Sequence, residues 1–134
     1  MATNLEGKPK EFLDENPYVG VATTLREDGS PHSTIVWVDV DDEGVSFNTA
    51  YGRAKPRYIA EDGRVSLTVV DPRDPYRWLS VSGTATLDDS AADGQIDRLA
   101  KKYIDADAYP FRQPGEQRVS VRIAVEKLDG RGLD

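Results

Sequence analysis

The feature that most constrains this chain is a series of short segments in which apolar and polar residues alternate, each closed by a turn signal. The alternation is clearest in Trp78–Leu87 (WLSVSGTATL) and Arg118–Leu128 (RVSVRIAVEKL). A period of two places successive side chains on opposite faces of a strand. Gly83 interrupts the first segment, which predicts a bulge, a sharp bend or a close backbone approach. In the second segment we expect four residues to face the core: Val119, Val121, Ile123 and Val125.

Four further segments complete a predicted set of six strands: Tyr18–Leu25, Pro31–Val40, Val45–Thr49 and Arg64–Val70. Turn signals such as Asp28-Gly29 connect most of them as hairpins. Short hairpin-connected strands with helices inserted between them favour a mainly β fold, a small six-stranded antiparallel β-barrel with peripheral helices. In the strand Pro31–Val40, every second residue from Thr34 onward forms the more apolar face, so Trp37 is expected on the opposite face.

The rest of the chain is predicted to hold helices, a loop and a tail. Five residues with helical spacing predict an amphipathic helix over Ser90–Asp105: Ile96, Leu99, Ala100, Tyr103 and Ile104. A short helix is expected within residues 1–17, where Asn16-Pro17 ends it. The segment Asp71–Arg77 (DPRDPYR) contains two prolines and is predicted to be a loop. Residues 129–134 are expected to form a tail, and residues 1–134 a single domain.

The stretch from Phe47 to Asp62 (FNTAYGRAKPRYIAED) predicts an anion-binding site. It runs from a strand through a glycine turn into a helix, and three cations lie at that junction: Arg53, Lys55 and Arg57. Free N–H groups at a helix N-terminus, flanked by cationic side chains, suit a phosphate or carboxylate. A solvated helix start whose charges only keep the chain soluble is the alternative explanation.

Charge and composition limit the classes of function. The chain carries a net charge of −7, which argues against non-specific binding to nucleic acid. Residues 51–80 nevertheless hold six cations against four acids, and this local excess suits a small anionic ligand. No apolar run approaches the roughly 20 residues of a membrane span. Cysteine is absent, which is compatible with a cytoplasmic location.

The chemistry-bearing residues favour a site in which a cofactor reacts and the protein orients it. His32 is the only histidine, and no hydrolytic triad, metal-ligand set or phosphate loop is recognisable, so no catalytic residue and no metal ligand is assigned. A flavin-like cofactor needs cations for its phosphate, which Arg53, Lys55 and Arg57 could supply. Its ring needs backbone groups and flat apolar surfaces. For these the candidates are the backbone of residues 35–38, Thr49 and Ala50, and the side chains of Trp37, Tyr76 and Trp78.

Three segments of the chain, which together make up about half of its length, resemble a known family. The matching segments are VGVATTLREDGSPHSTIVWVDVDDEGVSFNT, GRAKPRYIAEDGRVSLTVVD and DPYRWLSVSGTATL, which together span residues 19–87. They resemble the flavin- or deazaflavin-binding split-barrel family related to pyridoxamine 5′-phosphate oxidase, and most closely its branch that uses coenzyme F420. The GRAK-x-R segment after a short strand is the most specific part of the match.

This resemblance implies an FMN-binding type of split barrel that forms a homodimer with two cofactor sites at the dimer interface. It implies that Arg53 and Lys55 hold the cofactor phosphate and that the backbone at Val36 and Trp37 meets the cofactor ring. The DPYRW segment, which contains Tyr76, Arg77 and Trp78, would reach the neighbouring subunit's site. The family usually has Asn where this chain has Tyr58, which leaves that contact open.

The function expected from the resemblance is hydride transfer between reduced coenzyme F420 and a small conjugated or heteroaromatic substrate. An oxidoreductase that uses FMN is the first alternative, and a carrier that binds either cofactor without turnover is the second. Coenzyme F420 carries an acidic glutamyl tail, which would need cations beyond the phosphate pair. Four arginines are available for it: Arg57, Arg64, Arg73 and Arg77.

Overall fold

The computed structural model describes residues 5–133 and contains three helices and seven strands within that range. The helices are α1 (Gly7–Asp14), α2 (Ala54–Glu61) and α3 (Ala92–Ile104). The strands are β1 (Gly20–Leu25), β2 (Pro31–Val36), β3 (Val38–Asp41), β4 (Gly44–Ala50), β5 (Arg64–Asp71), β6 (Asp74–Asp88) and β7 (Arg118–Arg131). None of the helices in this range is long and apolar enough to cross a membrane.

All seven strands form one antiparallel sheet in the order β2-β1-β5-β6-β7-β4-β3. Strands β2 and β3 lie at its two edges, yet only Trp37 separates them in the chain. The sheet must therefore curl until its edges meet at Trp37, which gives the predicted mainly β barrel. We call this meeting point the seam.

The predicted count of six strands was wrong by one, because Pro31–Val40 is two strands instead of one. Up to Val36 the chain pairs with β1, and from Val38 it pairs with β4. Val36 and Val38 are both buried, as the alternation predicted, so the side-chain pattern continues while the pairing partner changes. At the change the Trp37 ring stacks on Tyr103, with centroids 5.5 Å apart and planes 6° apart.

The loop predicted over Asp71–Arg77 is instead a tight hairpin. Strand β5 continues to Asp71, which is paired with Asp74, and the next paired residues are Val70 and Trp78. Pro75 thus lies in an irregularity of β6 where its missing N–H removes no bond of the ladder. Two prolines in the sequence therefore did not exclude a strand at this sheet position.

Strand β7 also extends further than predicted, because Asp129–Arg131 continue the sheet instead of forming a tail. They pair with the start of β6, as in Gly130 opposite Leu79. The register shifts at Gly83, where an added Cβ would collide with the backbone carbonyl oxygen of Ala124. The bulge and close backbone approach predicted at Gly83 are confirmed. Residue 134 of the predicted tail lies outside the described part of the chain, and so do residues 1–4 of the segment 1–17.

The core is formed by the inward faces of the strands and by α1 and α2. The four residues of β7 predicted to face inward are all buried, and Phe47 is fully buried at their centre. Burying a side chain of this size contributes about 1.5–3 kcal/mol. On β1 the small residues Ala22 and Thr24 face inward, while Val21 points outward and is 39% exposed.

The outward side of β2, β1, β5 and β6 forms a surface without charged side chains. Strand register places the following residues side by side on it: Ser33, Ile35, Val21, Thr23, Ser66, Thr68, Val70, Trp78, Ser80 and Ser82. Arg64 bounds this surface at one end, and Lys127, Asp129 and Arg131 of β7 bound it along one side. We refer to these ten residues as the uncharged face. It stands out in a chain with 31% charged residues.

The C-terminal turn of α3 holds the seam in place. The hydroxyl of Tyr103 accepts a hydrogen bond from the Val38 N–H at 2.9 Å and donates one to the Tyr18 carbonyl oxygen at 2.8 Å. Lys102 donates to the carbonyl oxygens of Val38 and Leu13 at 3.0 and 2.8 Å. Burial raises the pKa of Tyr103 to about 12 and lowers the pKa of Lys102. Val38 lies on an edge strand, and its outward N–H and carbonyl oxygen thereby both have a hydrogen-bond partner on α3.

Candidate cofactor-binding site

A cavity of about 170 Å³ lies at the seam, between the β2–β3 junction, the start of α2 and the middle of α3. Its lining combines three cations, one amide and seven apolar or aromatic residues: Arg53, Lys55, Arg118, Asn48, Ile35, Val36, Trp37, Ile96, Leu99, Tyr109 and Phe111. A concave surface with few polar groups among apolar walls is typical of a small-molecule site.

Lys55 is the most unusual residue of the cavity, because it is a buried cation without an acidic partner. Only 9% of the residue is exposed, and its Nζ donates to the hydroxyl oxygen of Thr34 at 2.9 Å. No carboxylate lies within ion-pair distance of it in the described chain. Burial, and then the charges of Arg53 and Arg118, lower the pKa of Lys55. Burying a charge is costly unless it is paired, so this arrangement fits an anionic ligand.

Arg53 stands beside Lys55 at the N-cap of α2, where the backbone is extended. The chain reaches it from β4 through Gly52, whose φ of +91° favours glycine. Pro56 is the third residue of α2, in the first helical turn, where its missing N–H costs no helical hydrogen bond. Within residues 5–133 Arg53 forms no ion pair, which leaves its charge available at the helix N-terminus.

Arg118, the third cation, differs because its charge is compensated. Its guanidinium donates to Glu116 at 2.7 Å and to the Asn48 side-chain oxygen at 2.8 Å. The Arg118 and Glu116 side chains are only 2% and 8% exposed. The hydrogen bond from Arg118 is the main reason that the pKa of Glu116 is lowered. Two of the three cavity cations, Arg53 and Lys55, thus lack a carboxylate in ion-pair distance, whereas the charge of Arg118 is paired with Glu116.

A buried hydrogen-bond network behind the cavity positions Asn48 and hence Arg118. The Asn48 amide donates to the side-chain oxygen of Gln95 and to the Ala92 carbonyl oxygen, both at 2.9 Å. Gln95, which is 2% exposed, also accepts from Ser120 at 2.7 Å. Its own NH₂ donates to Ser46 at 2.9 Å and to Asp39 at 3.1 Å. All four bonding positions of the Gln95 amide are used, so α3 is fixed on the sheet.

Three aromatic rings, those of Trp37, Tyr109 and Phe111, form one wall of the cavity. Tyr109 stands edge-on to Trp37, with centroids 6.1 Å apart, and Phe111 stands edge-on to Tyr109 at 5.7 Å. The guanidinium of Arg118 lies over the Tyr109 ring at 5.0 Å. Trp37, already stacked on Tyr103 on one side, presents the rest of its ring to the cavity.

A second cavity, of about 380 Å³, adjoins the first through Arg53. Its lining is Tyr51, Gly52, Arg53, Pro56, Arg57, Ala60 and Leu87. The guanidinium of Arg57 lies over the Tyr58 ring at 5.1 Å, and Arg57 forms no ion pair with the described residues. The second cavity therefore holds two arginines whose charge is not compensated by a carboxylate.

The structure brings together some of the ten residues predicted for the site and separates others. Four of them line the first cavity: Val36, Trp37, Arg53 and Lys55. Arg53 also lines the second cavity, together with Arg57. Thr49 and Ala50 are buried in β4 and line neither cavity, and the Thr49 hydroxyl has no hydrogen-bond partner. Three residues lie on β6, away from both cavities: Tyr76, Arg77 and Trp78. Arg77 pairs with Asp71 at 3.2 Å.

Sequence reasoning missed six residues of the cavity lining: Asn48, Ile96, Leu99, Tyr109, Phe111 and Arg118. A signal existed for two of them. Asn48 is polar within an otherwise well-buried strand, and Arg118 begins the last strand beside a run of inward valines. Both patterns suggest a polar side chain with a specific partner. The partners themselves come from distant parts of the chain and carry no local signal.

A curled antiparallel sheet with a cation-lined cavity where its edges meet is typical of the class of cofactor-binding split barrels. The chain belongs to the pyridoxamine 5′-phosphate oxidase family, whose model matches residues 5–131. The family resemblance and the fold predicted from the sequence are thereby confirmed, and the family and the relatives below support an oxidoreductase.

Two relatives are similar at the level of sequence and one at the level of fold. The chain is 28% identical over 131 residues to a biliverdin reductase of Mycobacterium tuberculosis that depends on reduced coenzyme F420, covering 96% of this chain and 89% of that protein. A solved structure described as an F420 reductase is also 28% identical, with a TM-score of 0.76 and coverage of 89% and 94%. A heme storage protein of Vibrio cholerae shares the fold, with a TM-score of 0.70, 17% identity and coverage of 97% and 96%.

Proposed function

We propose that the protein is an oxidoreductase that uses coenzyme F420 to transfer a hydride to a small conjugated or heteroaromatic substrate. The observation that carries this proposal is the buried Lys55, which has a hydroxyl but no carboxylate beside it. A phosphate placed between Lys55 and Arg53 would supply the missing negative charge and form charge-assisted hydrogen bonds. Both sequence relatives are named for the use of coenzyme F420, which favours this cofactor over FMN.

The residues present fit a phosphorylated ring cofactor in the first cavity. Arg53 and Lys55 would hold the phosphate, and the backbone at Val36 and Trp37 would contact the ring, as the family resemblance implies. Ile96 and Leu99 add an apolar surface to this cavity. Thr49 and Ala50 remain predicted contacts through the backbone, since their side chains line neither cavity.

Reduced coenzyme F420, when bound, supplies a hydride, and a proton from water completes the reduction of a conjugated acceptor. The chain itself contributes position and electrostatics. Arg53 and Lys55 fix one end of the ligand, and the aromatic wall excludes water from part of the cavity. Because the proton comes from water in this proposal, no side chain of the cavity is assigned as a general acid or base.

The second cavity offers a place for the acidic tail of coenzyme F420. Arg57 faces it together with Arg53, and both have uncompensated charges. The three other arginines considered for the tail already have carboxylate partners: Arg64 with Asp62 at 2.7 Å, and Arg73 and Arg77 with Asp71 at 3.8 and 3.2 Å. This narrows the proposed tail contact to Arg57, because a paired arginine gains less from a second anion.

A homodimer completes the proposal, and the uncharged face supports it. Ile35 lies on that face at 63% exposure and also lines the first cavity, so a second copy packed there would border the cofactor site. Apolar and hydroxyl-bearing surfaces without charges are typical of the centres of protein interfaces. Tyr76, Arg77 and Trp78, at the end of this face, would then reach the partner's site, as the resemblance implies. The cytoplasmic location stays a prediction.

Two alternatives remain, and one titration distinguishes all three proposals. Purified protein is titrated with coenzyme F420 and with FMN, and then each complex is tested for reduction of a conjugated acceptor by the reduced cofactor. Tighter binding of coenzyme F420 together with turnover supports the proposal. Tighter binding and turnover with FMN would favour the FMN-dependent oxidoreductase, while binding without turnover would favour a carrier.

A further inference from the structure

The connection between α3 and β7, residues 105–117, contains no helix or strand and supplies two of the three aromatic rings of the cavity, Tyr109 and Phe111. A connection of this length without regular structure is uncommon in a compact domain unless it serves a function.

This connection is held firmly against α3. The N–H of Tyr109 donates to the Asp97 carboxylate at 2.9 Å, and Arg112 donates to Asp97 and Asp93 at 3.0 and 2.8 Å. Arg112 lies one residue beyond Phe111, so the two rings are bracketed by fixed points. The position of the aromatic wall is therefore set by α3, the same helix that closes the seam.

Phe111 is 60% exposed even though the connection around it is anchored. Its ring touches Tyr109 edge-on, and Tyr109 in turn stands edge-on to Trp37. Because Asp97 and Arg112 already hold the connection, the exposed ring of Phe111 is not needed as its anchor. A large apolar ring left open at the mouth of a cavity suits contact with a ligand.

The charge near this wall is neutralised. Arg118 lies over the Tyr109 ring, and Glu116 compensates its charge at 2.7 Å. Arg53 and Lys55, the two cavity cations without a carboxylate partner, are assigned to the cofactor phosphate in the proposed function. An uncharged flat ring can stack on or against Tyr109 and Phe111, whereas a carboxylate there would meet no free cation.

We propose that residues 109–111 form the specificity-determining wall for the acceptor and that they select a planar, uncharged, conjugated ring. This inference rests on the proposed function, because it assumes that the cofactor phosphate is bound to Arg53 and Lys55. Asp97 acts as a positioning residue for this wall, through its bond to the Tyr109 backbone and to Arg112.

The test uses the full chain saturated with oxidised cofactor, and calorimetric titration with menadione, an uncharged planar quinone, and with naphthalene-2-carboxylate, its anionic counterpart. The loaded wild type should bind menadione more tightly than the carboxylate. Phe111→Ser should weaken menadione binding about tenfold, the value of losing one aromatic contact and its buried area. Ile104→Ser, which removes another exposed apolar side chain outside the cavity, should leave menadione affinity unchanged.

Asp97→Asn adds a readout that a purely structural role would not give. It should weaken menadione binding while the affinity for the cofactor stays at the wild-type value. Absence of menadione binding by the loaded wild type, or equal affinities in Phe111→Ser and Ile104→Ser, would overturn the inference alone. Absence of cofactor binding by the wild type, measured first, would instead refute the proposed function.

Discussion

Lys55 on α2 and Thr34 on β2 are joined by a hydrogen bond of 2.9 Å, although they are 21 positions apart in the chain. The bond ties the N-terminal turn of the helix to the edge strand that ends at the seam. It satisfies one of the three donors of the ammonium group with a neutral acceptor and leaves its charge unbalanced. This contact therefore places the Lys55 ammonium group next to strand β2 at the cavity.

The first prediction concerns the contribution of Lys55 to binding of the cofactor phosphate. Lys55→Ala should weaken binding of coenzyme F420 by about 1–3 kcal/mol, as for a charge-assisted contact, and leave the unfolding midpoint of the cofactor-free protein nearly unchanged. Fluorescence titration measures the first and thermal unfolding the second. Lys101→Ala, which removes an exposed cation paired with Asp105, is the matched control. Equal affinity in Lys55→Ala and the control would remove Lys55 from the site.

The second prediction is a pH dependence of that binding. Burial, Arg53 and Arg118 lower the pKa of Lys55, so the folded protein loses this proton below the ordinary value of 10.5. The cost of holding the charged lysine is present below the lowered pKa and is relieved as pH rises towards 10.5, where the unfolded chain still holds the proton. A bound phosphate favours the charged form, so cofactor affinity should fall as pH rises through the lowered pKa.

Lys55→Arg provides the control for this pH dependence, because arginine stays charged throughout the range. Titrations of the cofactor at several alkaline pH values should show a fall in affinity for the wild type and a flatter profile for the variant. A profile that is the same in both proteins would mean that another group titrates.

The third prediction tests how the seam is held. Tyr103→Phe removes the hydroxyl that joins the Val38 N–H to the Tyr18 carbonyl oxygen, so it should destabilise the fold by about 1–3 kcal/mol. Burial raises the pKa of Tyr103 from 10.0 to about 12. Its contribution to stability should therefore be complete below pH 10 and be lost as pH rises towards 12.

Urea unfolding of wild type and Tyr103→Phe at a series of pH values between 9 and about 12 measures both effects. The difference between the two free energies of unfolding should shrink towards the upper end of this range. A difference that does not vary with pH would show that the hydroxyl remains un-ionised or that its bonds do not hold the seam.

The fold could be predicted further from the sequence than the site. Periodicity located the helices and most strands, because burial on one face is recorded in the order of side chains. The break at Trp37 was missed, since Val36 and Val38 continue the same pattern while the strand changes its partner. Likewise the prolines of Asp71–Arg77 predicted a loop, whereas their effect depends on whether a neighbour needs the missing N–H.

For the site, the sequence supplied the cations at the start of α2 because they are adjacent in the chain. It could not supply Asn48, Gln95 and Arg118, whose bonds join residues 25 to 70 positions apart. Nor could it show that Arg64 and Arg77 are already paired with carboxylates while Arg57 is not. The Arg77–Asp71 pair forms across the hairpin between β5 and β6, and alternation alone does not determine the register of that hairpin.

The fourth prediction concerns the dimer. Val21→Asp places a carboxylate in the middle of the uncharged face, opposite Ile35 and Thr68. A desolvated, unpaired charge in an interface is costly, so the variant should be monomeric at micromolar concentration. Light scattering should report about twice the 14.8 kDa chain mass for the wild type and the single mass for the variant. Ile104→Asp, at an exposed apolar position outside this face, should remain dimeric.

Dimers of both variants would mean that another surface pairs. A monomeric wild type that binds the cofactor tightly would contradict a site at the interface.

The last prediction concerns the choice of cofactor and rests on the difference between the two cavities. FMN presents one phosphate, which Arg53 and Lys55 can satisfy in the first cavity. The tail of coenzyme F420 adds carboxylates, for which the second cavity offers Arg57. Exposed ion pairs are screened over a Debye length of about 10 Å at 0.1 M salt, so affinity for coenzyme F420 should rise with the number of glutamates and fall steeply with salt.

Arg57→Gln should reduce that salt dependence and leave FMN binding almost unchanged, because FMN has no tail to reach the second cavity. Arg64→Gln is the matched control, since Arg64 is already paired with Asp62 at 2.7 Å. Titrations of the wild type and both variants at low and high salt with each cofactor give the six slopes that are needed. If FMN binds more tightly than coenzyme F420 at low salt, the uncompensated charge at Arg57 serves some other ligand, and the FMN-dependent oxidoreductase becomes the better proposal.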